Sequence, residues 1–474
     1  MAANSADILL PIPAKVSLSG TFFPVASLRS FAVDKEFTGV IAELQNLFHT
    51  LALDVKKADD DHADFTITKT ALPAGAWKMT VSPEGVKASA GDITGATYAA
   101  NALAQMLFAA TITGDPQAGL DGAEIEDHPR FTLRSFHLDC ARHFQSKDVV
   151  KKFLRILSLC RINYFHWHLV DSQGWRYQSR VAGKLSATGV SSYGQYSRED
   201  LSEITNFAHD LGITVIPEVD VPGHSAMLLK HYPQFSCDPQ NPGEEFCIGK
   251  PETMTFLKEI FAELMELFPD SPCIHIGGDE ALTTHWEKCP VCQQAMADKG
   301  LKNMRDLENK FMVELSRFIV SQGRTPIIWG TSSGQTYPPD TMIQCWLDIR
   351  EPLKIAPHGN KIIYSVHSSL YFDYPANLDE PWESWMFELS EKGVYMTDPY
   401  IIWPEKVKDV IIGTEACLWT ETIPQHRIFA KLFPRIFAYS ECAWSLPERK
   451  SWHSFNQRKS LLEAAGYIDY VKGL

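Results

Sequence analysis

The sequence predicts an α/β protein: a (β/α)8 TIM barrel over residues 126–474, preceded by a small α+β domain over residues 1–125. Three observations carry that expectation. Eight apolar, strand-like runs recur after Arg130. Helical segments with recognisable start signals separate most of them. Acidic and aromatic residues gather just past the ends of the runs. At 474 residues the chain is long enough for such a barrel and one smaller unit.

In chain order, Phe65-Thr66-Ile67-Thr68 and Trp77-Lys78-Met79-Thr80-Val81 alternate in polarity as half-buried strands do. Gly95-Ala96-Thr97-Tyr98 then opens an Ala/Leu-rich helix reaching Ala109, and this first unit contains no chemical constellation. Thr113–Asp127, rich in Gly, Asp and Pro, reads as a linker. The barrel runs follow at Leu133–Leu138, Tyr164–Leu169, Thr214–Val219, Cys273–Ile276, Pro326–Trp329, Met342–Trp346, Lys361–Val366 and Val410–Thr414. Ser146 precedes Val149, Val150, Phe153, Leu154 and Leu157 at helical spacing, and Ser197 with Asp200 resembles a capping box. Tyr371–Tyr400 lacks helical periodicity, so an irregular loop is expected to replace the helix after the seventh strand.

Chemistry in such barrels sits past the C-terminal strand ends. Those positions collect Arg134 and Asp139, His168 and Asp171, Glu218, Asp220 and His224, then Asp279 and Glu280. Later ends supply Trp329, Trp346, Tyr371, Asp373, Trp419 and Glu421. Carboxylates and an arginine interleaved with indoles suit a sugar ring, whose hydroxyls need polar partners and whose C–H face stacks on aromatics. The densest signal is His275-Ile276-Gly277-Gly278-Asp279-Glu280. Two adjacent carboxyls at a strand end push each other's pKa values apart, which suits proton transfer.

Composition narrows the function. The chain is 45% hydrophobic and 22% charged, with a net charge of −14 and no basic stripe, which argues against nucleic acid or an anionic membrane surface as partner. No apolar run approaches membrane-spanning length. The N-terminal Met1-Ala2-Ala3-Asn4-Ser5-Ala6-Asp7 shows no basic-then-apolar signal peptide pattern. Of the 10 cysteines, Cys140, Cys160, Cys273, Cys345 and Cys417 read as small buried hydrophobes, while Cys289/Cys292 and Cys237/Cys247 are candidate disulfides. A single CxxC is weak evidence for zinc.

Several segments in order resemble the family 20 glycoside hydrolases, the β-N-acetylhexosaminidases and their relatives. They are Asp127-His128-Pro129-Arg130-Phe131, His166-Trp167-His168-Leu169-Val170-Asp171-Ser172-Gln173-Gly174-Trp175-Arg176, Pro217-Glu218-Val219-Asp220-Val221-Pro222-Gly223-His224 and Gly277-Gly278-Asp279-Glu280. The likeness continues through Gly413-Thr414-Glu415-Ala416-Cys417-Leu418-Trp419-Thr420-Glu421 and Phe433-Pro434-Arg435 to Trp444, and the first unit is similar to the small domain that precedes this barrel in the family.

The resemblance implies a retaining, exo-acting enzyme that removes a terminal non-reducing β-linked N-acetylhexosamine from an oligosaccharide or glycoconjugate. The 2-acetamido oxygen of the substrate acts as nucleophile and forms an oxazolinium, a departure from the two-carboxylate scheme. It implies Glu280 as acid/base, Asp279 as acceptor of the acetamido N–H, and Tyr371 as donor to the acetamido oxygen. Asp171 and His224 would tune the acid. Trp329, Trp346 and Trp419 would wall the acetamido methyl. Arg134 would hold the 3- and 4-hydroxyls, with Asp373 and Glu421 on the 4- and 6-hydroxyl side. No cofactor and no metal are implied, and family analogy suggests a secreted, periplasmic or lysosomal setting.

Two departures stand out: Gly330-Thr331-Ser332-Ser333 follows Trp329 where the family often has an acidic pair, and Ser135 replaces the usual glycine after Arg134. Two rivals remain. A metal-dependent amidohydrolase would use His166 and His168 with Asp279 and His224. A carbohydrate-binding protein would keep the pocket without turnover.

Overall fold

A computed structural model describes residues 5–473 other than 59–61, 112–117, 187–193, 331–335 and 401–404; the side chains of residues 405 and 406 are also outside it. In the N-terminal unit, β1 (Lys15–Pro24), β2 (Ser30–Val33), β3 (Lys56–Lys57), β4 (Phe65–Lys69), β5 (Trp77–Ser82), β6 (Gly85–Ala90) and β7 (Gly119–Asp127) form one mixed sheet in the order β1-β7-β5-β6-β4-β2-β3. The expected linker is therefore in large part a strand. β7 pairs antiparallel with both β1 and β5, because Leu120, Ala123 and Ile125 offer buried apolar side chains between polar positions. Its composition misled because Gly119, Gly122 and the acidic residues sit where the neighbouring strand approaches closely: a Cβ at Gly122 would lie 2.0 Å from Thr21 Oγ1.

The helix Ile93–Thr111 is buried along almost its whole length. One side meets its own sheet, and the other meets the barrel helix Lys147–Leu159 and the C-terminal helices Trp452–Ala464 and Tyr467–Gly473. A helix apolar all round is what such double coverage requires.

All eight expected barrel strands form. They are β8 (Leu133–Asp139), β9 (Tyr164–His168), β12 (Thr214–Val221), β13 (Cys273–Gly277), β14 (Thr325–Trp329), β15 (Met342–Cys345), β16 (Ile362–Tyr364) and β17 (Ile411–Leu418). Parallel pairing closes them into a barrel, with β17 on β8 and β9 on β12. A small hairpin, β10 (Val170–Asp171) with β11 (Gly174–Trp175), projects after β9. Helix starts follow the sequence signals: Ser197 and Asp200 form a reciprocal capping box, while Ser146 precedes its helix without a side-chain cap bond. Between Tyr371 and Tyr400 only one short helix, Glu391–Met396, is found, so the segment is irregular as expected. None of the ten cysteines is disulfide-bonded.

Candidate active site

The C-terminal ends of the barrel strands surround a cavity of about 370 Å³. Asp139 terminates β8, and its carboxylate accepts the N–H groups of Ala141 at 2.8 Å and Arg142 at 3.0 Å. That local turn swings Arg142 over the mouth. Its guanidinium lies 2.8 Å from Asp171, 3.4 Å from Asp139 and 3.7 Å from Glu421, with the Trp419 ring 4.9 Å away.

β13 delivers the paired carboxylates through two glycines. Gly277 has φ +70° and Gly278 has φ +106°; a Cβ at Gly277 would lie 1.8 Å from the Asp220 carboxylate, and one at Gly278 would strike Ile328 at 2.6 Å. Only glycine fits there. Four described non-glycine residues have positive φ, and two of them are His224 (+49°) and Glu280 (+48°). Backbone held in this region by its surroundings is common where geometry is set for function.

His224 links two carboxylates: Nδ1 is 3.3 Å from Asp171 and Nε2 is 3.7 Å from Glu280. One ligand-capable atom from each of His224, Asp279 and Glu280 lies within 4.8 Å of the others. Glu280 is open to the cavity, its side chain 59% exposed, whereas Asp279 is buried against the wall. Burial pushes the Asp279 carboxyl up to about 6; the His224 cation opposes this and the Glu280 charge adds to it. Against burial, which favours the neutral ring, the Asp220 and Asp171 carboxylates hold His224 well above its ordinary range. Asp171 is also buried, yet Arg142, His168 and His224 hold it well below the usual carboxylate range.

Trp346, Tyr371, Trp419, Asp373 and Glu421 line the same cavity. Trp346 is fixed by its indole N–H donating to the Gly330 carbonyl at 2.9 Å, and the Tyr371 and Trp419 rings lie 6.2 Å apart. Burial drives Asp373 up to about 8, with the Glu421 charge adding to the effect. Asp279 Oδ1 and Asp373 Oδ1 are both buried and have no hydrogen-bond partner in the protein. Unpaired buried acceptors lining a cavity call for a donor-bearing ligand.

Eight sequence-predicted residues thus share one cavity: His224, Asp279, Glu280, Trp346, Tyr371, Asp373, Trp419 and Glu421. Asp171 stands behind His224. Trp329 does not line the cavity; it is buried beneath, 5.7 Å from Trp419 ring to ring, its N–H donating to Glu218 at 2.8 Å. Arg134 is the clear correction. It is the second residue of β8, at the opposite end of the strand from the cavity, and only 1% exposed. Its guanidinium donates to the carbonyls of Arg161 (2.8 Å) and Phe131 (2.7 Å) and to the Tyr98 hydroxyl (2.8 Å). Arg134 is a bolt between barrel and N-terminal unit. Ser135, beside it, is buried in the barrel wall rather than at a pocket floor.

The cavity arginine is Arg142, just past the end of β8. His367, Tyr374 and Trp385 also line the cavity and had no sequence signal, since they precede or fall within the aperiodic stretch. Residues 331–333, of the noted departure after Trp329, lie outside the described residues.

The HxH pair belongs to a different structure. His166 and His168, joined by His137 and His275, surround Glu218 inside the barrel, all fully buried. His275 Nδ1 is 2.9 Å from Glu218, His166 Nδ1 is 2.8 Å from Glu415, and His168 pairs with both Glu218 and Asp171. His137 and His275 lie within β8 and β13 rather than past their ends. The cluster lies under Trp329 and Trp419, so a substrate in the cavity has no path to it. A catalytic metal needs an open coordination position facing substrate, which this buried arrangement does not offer.

The family model described as "Glycosyl hydrolase family 20, catalytic domain" matches residues 131–447, and the one described as "Glycosyl hydrolase family 20, domain 2" matches residues 7–128. A beta-hexosaminidase of Akkermansia muciniphila is 30% identical over 411 residues, covering 82% of this chain and 83% of that protein. A beta-N-acetylhexosaminidase of Cellulomonas fimi is 29% identical over 411 residues, covering 82% of this chain and 78% of its own. Among solved structures, the β-N-acetylhexosaminidase of Bacteroides fragilis superposes with a TM-score of 0.85 at 27% identity, covering 98% of this chain and 96% of that one. The exo β-N-acetylglucosaminidase of Vibrio harveyi in complex with N-acetylglucosamine gives 0.87 at 26% identity, covering 98% of this chain and 78% of that one.

Proposed function

The chain belongs to glycosyl hydrolase family 20, and from that premise we propose that it is a retaining, exo-acting β-N-acetylhexosaminidase working by substrate assistance. It releases a terminal non-reducing β-linked N-acetylhexosamine. The observation that carries this reading is the cavity that Asp279 and Glu280 line together with Tyr371, Trp346 and Trp419.

Glu280, open to the cavity, protonates the glycosidic oxygen as the acetamido oxygen attacks the anomeric carbon from the opposite face. The aglycone departs, an oxazolinium forms, and Glu280 then deprotonates the water that opens it. Asp279 Oδ1 accepts the acetamido N–H and balances the positive charge that develops. The Tyr371 hydroxyl donates to the acetamido oxygen, and the Trp346 and Trp419 indoles confine its methyl group. Pre-orienting an internal nucleophile in this way can supply roughly 7–11 kcal/mol of barrier reduction. Asp171 and His224 hold and tune Glu280. Arg142, not Arg134, takes the ring hydroxyls, with Asp373 and Glu421 beside it. Trp329 supports the floor from below. The closed floor and small volume favour one sugar at a time.

Comparing an aryl β-N-acetylglucosaminide with the matching aryl β-glucoside tests this reading. The 2-hydroxy compound lacks the nucleophile and is hydrolysed far more slowly; comparable rates would remove acetamido participation. Glu280→Gln distinguishes an enzyme from a sugar-binding protein, since only the enzyme loses turnover.

A further inference from the structure

Two loops of the barrel face meet at a second cluster. Cys237 and Cys247 lie in the β12 loop that also carries His224; Cys289 and Cys292 lie in the β13 connection that carries Asp279 and Glu280. Cys247, Cys289 and Cys292 are buried and Cys237 is half-buried. The four sulfurs all lie within 4.8 Å of one another, with Cys247–Cys292 at 3.5 Å, Cys247–Cys289 at 3.7 Å and Cys237–Cys292 at 3.8 Å. The two pairs expected as disulfides from sequence are therefore members of one tetrad. Four thiolates around a tetrahedral zinc ion at about 2.3 Å would stand about 3.8 Å apart along each edge. Three of the six edges here, at 3.5, 3.7 and 3.8 Å, are close to that spacing, and all six are within 4.8 Å.

The surroundings fit the same reading. The Gly249 N–H donates to the Cys247 sulfur, the kind of outer contact that orients a metal ligand. A Cβ at Gly249 would lie 2.7 Å from Cys292 Cα, so the backbone of one loop rests directly on the turn of the other. The Lys250 ammonium donates to the carbonyls of Gln234 (2.8 Å) and Ser236 (2.7 Å), beside Cys237. The helix Pro290–Asp298 begins within the cluster and turns its positive end towards the sulfurs.

We propose that Cys237, Cys247, Cys289 and Cys292 bind one zinc ion as a closed four-thiolate site that ties the His224 loop to the Asp279–Glu280 loop. With all four positions taken by sulfur, the ion is structural and takes no part in the hydrolysis. The same two loops are joined nearer the cavity, where Glu245 accepts the Leu282 N–H at 3.3 Å and pairs with His285 at 2.8 Å.

The test is elemental analysis of the purified full chain together with a thiol count in denaturant without reductant. The expected result is about one zinc per chain, and all ten cysteines reacting once the protein is denatured with chelator. Cys289→Ser with Cys292→Ser lowers zinc to near zero and lowers the melting temperature. Wild-type protein stripped by chelator melts earlier and recovers on adding Zn²⁺ alone. If the double variant does not fold, Cys237→Ser serves: three ligands remain, and zinc is lost to chelator at a concentration lower by roughly tenfold or more. Fewer than ten reactive thiols, an iron-coloured protein, or no stoichiometric metal would each overturn the proposal.

Discussion

Replacing Arg142 by Ala separates the roles of Arg134, inside β8, and Arg142, in the turn that follows it. The Arg142 side chain is 9% exposed and its guanidinium faces three carboxylates, Asp171, Asp139 and Glu421. Two effects follow. Removing one member of a buried ion pair strands its partners, which costs about 3–5 kcal/mol of folding free energy; the urea midpoint falls with an unchanged slope. In the cavity, one charge-assisted hydrogen bond to a sugar hydroxyl is lost. At about 1.5–3 kcal/mol and 1.4 kcal/mol per decade, kcat/KM for an aryl N-acetyl-β-glucosaminide drops about 10- to 150-fold. Arg142→Lys keeps the charge but not the planar fork and falls in between. Arg134→Ala instead lowers stability, because three buried acceptors lose their donor, while the folded fraction turns over normally. If Arg142→Ala stays within about twofold of wild type and Arg134→Ala loses two decades, the assignment of the cavity arginine is wrong.

Glu280→Gln lowers turnover by about 10²–10⁴-fold while N-acetylhexosamine still binds, as equilibrium titration checks. Tyr371→Phe removes one donor from the acetamido oxygen and lowers kcat by roughly 10²-fold with little change in melting temperature, because the ring stays packed beside Trp419. The pH profile of kcat/KM carries an acidic limb near 6, where Asp279 becomes the carboxylate its role requires; a flat profile from pH 4 to 7 contradicts that role. Its stability effect has the opposite sense. The folded-state value lies above the roughly 3.9 of a free Asp, so the contribution of Asp279 is complete below about pH 4 and is lost as the pH rises through 6.

The barrel was legible because each strand is a short apolar run bounded by polar or turn residues, and every one of the eight forms. The site was legible to the extent that strand ends could be located. Asp279 and Glu280 follow a run closed by two glycines, which marks its end clearly. β8 offers no such mark: Leu133–Asp139 mixes Arg, Ser and His with Leu and Phe, all of them buried, so polarity gives no direction there, and the resemblance points to Arg134 inside the strand whereas the cavity arginine lies past its end. The resemblance puts Trp329 in the cavity wall, but an aromatic at a strand end has two ways to face, and periodicity does not say which lies under the floor. Tyr374 and Trp385 sit on irregular backbone that leaves no periodic trace, and His367 opens a helix of four residues, too short to show one. The cysteine tetrad joins residues from two separate loops, so neither pair alone announces the other.

The imidazole–carboxylate knot along the barrel axis has a consequence for anyone redesigning this protein. His166 is held well into its protonated range, to about 9, by Glu415 and Glu218 against the pull of burial, while Glu218 is itself held ionised by His168, His275 and His166. Deleting His166, His168 or Glu218 strips a buried charge of its opposite partner inside the barrel. An oily substitute at a single position is therefore worse than the original, and only a matched exchange of several at once could turn this interior greasy. The barrel interior accepts edits only in sets.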